Sequence, residues 1–273
     1  MKSKLIAGIL VLALVPAVFA GGFLTNTNQS IQFTRMLSRF ASTDIDAVYF
    51  NPAGMTELQN GFYLALHNQT ITQGRTITST FPYLNMDEYQ GDTFAPVFPS
   101  FFGVYKKDKL AVGFSFGPIA GGGTAEYNEG LPMFEYDLSL IPAMVSAGGI
   151  PTTAYSAELA FEGSSVFYGA QVSLAYAVTE KLSVSGGARY NIAKNTYKGT
   201  LGNIRINPTF PTLGLNGDMV PASDFFTAIG DLTTAAAVRD QEVDAEQTGT
   251  GITPIVGLNY RASDKLNIGI KYD

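Results

Sequence analysis

Between Val172 and Ile192 the side chains sort by parity. Val172, Leu174, Tyr176, Val178, Leu182, Val184, Ala188, Tyr190 and Ile192 take the even positions, and Ser173, Ala175, Lys181, Ser183, Ser185, Arg189 and Asn191 the odd ones. A repeat of two is the signature of a β-strand whose faces meet different surroundings. Thr179 to Lys181 form a tight reversal that keeps parity, so Tyr176 comes to lie opposite Val184 and the stretch is a hairpin with one apolar and one polar face. The same pattern predicts strands over about 61 to 72, 96 to 106, 109 to 119, 164 to 178, 181 to 198, 250 to 261 and 264 to 273. The second is the least regular, because Phe101, Phe102, Val104 and Tyr105 blur its parity.

The connections also alternate. Short turns at Lys106 to Lys109, Thr179 to Lys181 and Ala262 to Lys265 trade places with long excursions near 73 to 95, 120 to 163 and 199 to 249. A soluble domain seldom carries such loops repeatedly, whereas an outer-membrane barrel has tight turns at one rim and long loops at the other. Alternating segments of about 10 residues also suit tilted strands crossing hydrocarbon. The even face of the 172–192 hairpin is therefore expected to meet lipid and its odd face to line a lumen. On that reading arginine is costly at Val184 and tolerated at Ser185. Seven strands would not close such a barrel, and the sequence stops inside the alternating run "NIGIKYD", so the chain is expected to be about half of the mature protein.

The first twenty residues place the chain outside the cytosol. Lys2 and Lys4 precede an apolar run, Leu5 to Val15, and the small residues Val18 and Ala20 frame a cleavage site before Gly21, which together predict a secretory signal peptide over 1–20. The chain has no cysteine, which excludes a lipid-modified cysteine, disulfides and thiolate metal sites. A net charge of -6 without a basic run argues against nucleic-acid binding. After the leader no apolar stretch is long enough for a helical span.

Residues 21–60 show no steady period and are rich in small and polar residues, so they are not wall. They contain Asn51-Pro52-Ala53-Gly54, in which Pro52 fixes φ, biases Asn51 toward an extended conformation, and is followed by a glycine that permits a sharp exit. With this tetrapeptide placed between a plug-like segment and a series of hairpins, the chain resembles the FadL-type outer-membrane transporters of long-chain fatty acids and other hydrophobic compounds. "TDIDAVYFNPAGM" is similar to the end of that family's N-terminal hatch, "FPSFFGVYKKDKLAVGFSFG" to its second and third strands, and "AYAVTEKLSVSGGARY" and "GLNYRASDKLNIGIKYD" to the next two hairpins. The resemblance implies an all-β fold: an antiparallel transmembrane β-barrel, fourteen strands in the full-length protein and about seven here, closed by a hatch plug that includes Asp44, Asp46, Asn51, Pro52, Ala53 and Gly54. The family's later strands are missing from this sequence. Hence the expected domains are 1–20 signal, 21–60 hatch and 61–273 partial barrel, with long extracellular loops near 120–163 and 199–249.

Catalytic chemistry finds little support. Gly113-Phe114-Ser115-Phe116-Gly117 has the spacing of a hydrolase nucleophile elbow, but it lies in an alternating strand rather than at a strand-to-helix turn, and His67, the only histidine, has no local tie to Ser115. No phosphate-binding loop, dinucleotide fingerprint or metal-ligand cluster is present, so no cofactor and no metal is expected.

Binding chemistry is expected in the excursions instead. Pro221 and Ser223 are helix-start signals followed by Phe225, Phe226, Ile229, Leu232 and Ala236 on one helical face. Such a stripe suits a packed core; the resemblance implies a landing groove for ligand, with Phe225, Phe226, Ile229 and Leu232 making first contact. "LPMFEYDLSLIPAMVSAGGIP" offers Phe134, Leu138, Leu140, Ile141 and Met144 as the facing wall. On the lumen side Arg189 and Arg261 can serve either a ligand carboxylate or the acidic residues of the hatch, Asp44, Asp46 and Glu57. Gly117-Pro118 can end the third strand or let the wall part, since neither supports a ladder. In the family this strand carries the kink through which ligand leaves sideways. The expected partners are a hydrophobic small molecule and outer-membrane lipid, with a monomeric barrel and no nucleic acid. A structural or adhesive barrel without transport is the other reading.

Overall fold

A computed structural model describes residue 28 and residues 30–273. The leader expected over 1–20, and residues 21–27 and 29 of the segment after it, lie outside the described residues. The alternating segments form seven long strands: β1 (Gly61–Thr78), β2 (Glu88–Lys107), β3 (Leu110–Tyr127), β4 (Tyr155–Ala177), β5 (Leu182–Ile206), β9 (Gln241–Ser263) and β10 (Leu266–Tyr272). The two-residue strands β6 (Thr209–Phe210), β7 (Leu215–Asn216) and β8 (Val220–Pro221) decorate the excursion between β5 and β9. The long strands pair in the order β1-β2-β3-β4-β5-β9-β10, antiparallel throughout, in a sheet curled into a half-barrel. Tyr176 lies opposite Val184, as the parity of the hairpin requires.

The strands outrun the alternation that predicts them. β5 continues to Ile206 and β9 begins at Gln241, so that Lys198 pairs with Asp244 and Thr196 with Glu246. Backbone ladders need no apolar side chain, and period-two hydrophobicity marks only the part of a strand with unlike surroundings on its two faces. The excursions are accordingly shorter than expected, at residues 79–87, 128–154 and 207–240.

The sheet is inverted relative to a water-soluble one. Val172, Leu174, Tyr176, Val184, Tyr190 and Ile192 are exposed, while Gln171, Ser173, Ser183 and Arg189 on the opposite face are buried. Covering that polar face is the N-terminal segment: α1 (Ile31–Arg35), α2 (Ala47–Phe50) and a 3-10 turn (Pro52–Glu57). Val48, Phe50 and Met55 pack there against Phe102, Val104, Ala111 and Ala175. This explains the blurred parity of β2, because Phe102 and Val104 are apolar inner residues, each 1% exposed, while Tyr105 stands on the outer face.

A second core sits between the excursions. The stretch 128–154 folds into α3 (Pro132–Ser139) and α4 (Ile141–Ala147), and the next excursion into α5 (Ala222–Ala228) and α6 (Leu232–Ala237). Leu138, Ile141, Val145, Phe225, Phe226, Ala235 and Val238 pack with Tyr155 and Ile206 from the strand ends. The single helical stripe read from the sequence is two helices. Gly230 breaks it at φ 84°, a left-handed conformation that glycine adopts without steric cost, and the phase change brings Ala235 rather than Ala236 into the core.

Candidate functional site

Three features coincide with the residues singled out by sequence: a groove between the excursions, the seat of the Asn-Pro-Ala-Gly turn, and an interruption of the wall.

The groove holds about 250 Å³ and is lined by Ile141, Met144, Val145 and Ile150 on one side and Phe226, Ile229, Asp231 and Thr234 on the other. Met144 is 67% and Ile229 39% exposed, so its rim is apolar and open. Of the expected contacts, Phe226, Ile229, Ile141 and Met144 do line it. Phe225 is buried in the core next to Phe226, their rings 5.3 Å apart, and Leu138 is buried in the same core. Leu232 is exposed and outside the groove's lining, and Phe134 packs on Phe161 with ring centroids 5.2 Å apart. Asp231, which sequence reading passed over, caps α6, accepting from the Thr234 backbone N–H at 3.0 Å and from its hydroxyl at 2.6 Å. A buried acid beneath the excursions was missed as well. Glu135 accepts hydrogen bonds from the hydroxyls of Tyr89 and Tyr155, tying α3 to the ends of β2 and β4. It falls outside any period, and only a buried acid among aromatic residues would have signalled it.

Asn51 is extended, at φ -158° and ψ 95°, and Pro52 opens the 3-10 turn behind it. The Asn51 side chain donates to the carbonyls of Phe40 at 2.9 Å and Leu258 at 3.0 Å, and accepts from the Ala53 N–H at 3.3 Å. The Ala53 carbonyl in turn accepts from Ser183 Oγ at 2.9 Å. Gly54 is required by contact: a Cβ there would lie 2.0 Å from the Ser42 carbonyl oxygen. The strands supply matching seats, since a Cβ on Gly257 would lie 2.3 Å from Asn51 Oδ1 and one on Gly269 would lie 2.0 Å from the Phe40 carbonyl oxygen. A Gly257 Cβ would also meet Ser185 Oγ at 2.5 Å, so position 185 faces this crowded inner seat, on the opposite side of the sheet from Val184.

The charges inside pair differently from expectation in part. Arg261 reaches Glu57 at 3.2 Å, a pairing between wall and N-terminal segment. Asp44 and Asp46 instead take Arg39 of their own segment, whose guanidinium lies 2.8 Å from Asp44 and 2.7 Å from both oxygens of Asp46. Arg39 lies in a stretch without period, which is why it was missed. Arg189 bonds Asp273, takes no part in lining the groove, and rests 5.0 Å over the Tyr49 ring, with Lys271 Nζ 5.5 Å from the same ring. Gln171, fully buried, donates to the Val48 carbonyl and meets Arg189 Nε at 3.2 Å.

Beyond Gly117 the β2–β3 ladder is interrupted, although the two strands still touch at Gly117 and Ser100. The β2–β3 ladder runs from Lys107↔Leu110 to Phe101↔Phe116 and resumes only at Phe94↔Thr124. On the other side the register to β4 slips between Pro118 and Ala120 and again between Gly121 and Thr124. Sequence reading named only the β3 half of this break. Pro96 and Pro99 on β2 stand in the same unpaired stretch, and neither has an N–H to offer. Gly121 at φ 83° and Gly123 at φ 58° let β3 turn where no side-chained residue would be comfortable.

Among the described residues no helix is long and apolar enough to cross a membrane, and no group of three or more histidine, aspartate or glutamate side chains is placed to hold a metal. Ser115 stands in the middle of β3, opposite Gln171, far from any strand-to-helix turn. No family model, curated protein or solved structure matches this chain.

Proposed function

We propose that the chain belongs to an outer-membrane β-barrel, fourteen-stranded when complete, through which long-chain fatty acids or similar hydrophobic small molecules diffuse. The groove between the excursions captures the ligand. The N-terminal segment acts as a hatch across the lumen, and the ligand leaves sideways where β2 and β3 part. The passage is diffusive and non-enzymatic, the barrel acts as a monomer, and its partners are the ligand and lipid.

The observation that carries this reading is the inverted sheet. Residues such as Val172, Leu174, Val184 and Ile192 are exposed on an outer face whose inner counterpart buries Gln171, Ser173, Ser183 and Arg189. Leaving a buriable aliphatic side chain in water forgoes about 1.5–3 kcal/mol, and a contiguous apolar face of this extent is costly unless something apolar covers it. Acyl chains remove that cost and explain why the arginine is tolerated only inside. The break between β2 and β3 supports lateral exit, because an apolar molecule leaving there passes from protein to hydrocarbon without re-entering water.

Uptake by cells tests the reading. Cells lacking their own transporter and expressing the full-length protein are expected to take up radiolabelled oleate or dodecane, and a Met144→Asp/Ile229→Asp variant, altered only at the groove rim, to lose most of it. Equal uptake by cells without the barrel would overturn the transport reading.

A further inference from the structure

The groove is apolar but its electrostatic setting is one-sided. Among the described residues the only charged one lining it is Asp231, and no lysine, arginine or histidine joins it there. The wider excursions repeat the bias: residues 79–87, 128–154 and 207–240 carry eight acidic residues and one basic residue, Arg239. Arg239 lies off the groove, lining a separate hollow with Asn203 and Asp240. Hydrogen bonds from the Thr234 hydroxyl and backbone N–H hold the Asp231 carboxyl below the usual carboxylate range, so it stays ionised at neutral pH. A carboxylate entering this groove meets the like charge of Asp231 and finds, among the described residues, no cation in the lining to neutralise it, whereas an uncharged molecule of the same hydrocarbon content feels only the apolar lining.

We infer that the groove selects uncharged hydrophobic compounds, such as alkanes, small aromatic hydrocarbons or alkyl esters, over fatty-acid anions of equal chain length. The size agrees. An engineered apolar cavity of about 150 Å³ accepts benzene, and the groove, at about 250 Å³, has room for a somewhat larger hydrocarbon or a short alkyl segment. This inference rests on the proposed capture role of the groove and narrows its ligand class.

The test uses purified full-length protein and radiolabelled dodecane, with decanoate and methyl decanoate as competitors at pH 7.5 and low salt. The two competitors share a chain and differ by one charge. Methyl decanoate is expected to displace dodecane at least tenfold more effectively than decanoate. Asp231→Ser, which keeps a helix-capping oxygen without the charge, is expected to narrow that ratio two- to threefold, and 0.5 M salt to narrow it further. Ile229→Ser weakens both competitors alike if the groove is the site. Decanoate displacing dodecane as well as the ester does, or a ratio untouched by both Asp231→Ser and salt, overturns the charge selection and leaves the capture role standing. Failure of the protein to bind dodecane or either competitor overturns both.

Discussion

Val184 and Ser185 are neighbours in the chain with opposite fates. Val184 is 40% exposed on the outer face, while Ser185 points at the seat shared by Gly257 and Asn51. In a bilayer, Val184→Arg is expected to cost about 2–4 kcal/mol, and Thr200→Arg, farther up the same outer face of β5 beside Lys198, to stay within about 0.5 kcal/mol. Urea titration of the full-length protein in lipid vesicles checks this, and equal costs would remove lipid from the outer face. Asn51 presents a different balance. Its one side chain serves two carbonyls and one N–H, so Asn51→Ala leaves the Phe40 and Leu258 carbonyls without this donor and is expected to cost about 2–4 kcal/mol in the same assay. The parity of Val184 and the motif around Asn51 were legible in the sequence. The partners of Asn51 were not, because Leu258 lies 207 residues away and only the folded sheet brings it back.

Among the elements, the strands were read by their apolar stretches and so were read short. In the ladder between Lys194↔Thr248 and Leu201↔Gln241 the even positions turn polar, with Lys194, Thr196, Lys198 and Thr200 facing Thr248, Glu246, Asp244 and Glu242, so the run of apolar even residues that marks the lower strands is lost there. The helices of the excursions failed in the opposite way: their stripe was legible, but Gly230 was hidden inside it. The break between β2 and β3 was half legible, through Gly117 and Pro118. A cross-link tests what it does. A Cβ on Gly117 would lie 3.1 Å from the Ser100 Cβ, shorter than the 3.5–4.5 Å spacing typical of disulfides, and 2.9 Å from the Pro99 carbonyl oxygen, so a small backbone shift accompanies the bond; the chain has no cysteine to interfere. In a Ser100→Cys/Gly117→Cys variant, oxidation is expected to lower dodecane uptake at least fivefold and reduction to restore it. Uptake indifferent to oxidation would place the exit elsewhere.

At the scale of the whole molecule the two rims differ in kind. The turns at 108–109, 178–181 and 264–265 are tight, and the excursions at 79–87, 128–154 and 207–240 stand at the opposite ends of the same strands. An epitope tag inserted between Gly217 and Asp218 is therefore expected to bind antibody on intact cells, and one between Asp264 and Lys265 only after permeabilisation; the reverse result would invert the orientation. The glycine seats of the inner face carry one more consequence, for the order of biogenesis. The N-terminal segment leaves the ribosome first, yet it is fastened by the Leu258 carbonyl, by Asn267, whose side chain donates to the Ala41 carbonyl 226 residues away, and by the bare backbone of Gly257 and Gly269. None of those clasps exists until synthesis has reached Gly257, and the last of them waits for Gly269. Gln171, Ser183 and the apolar contacts of β2 to β4 can hold the segment earlier, so its fastening begins on the middle strands and is finished only by far younger parts of the chain: sheet and segment must mature together.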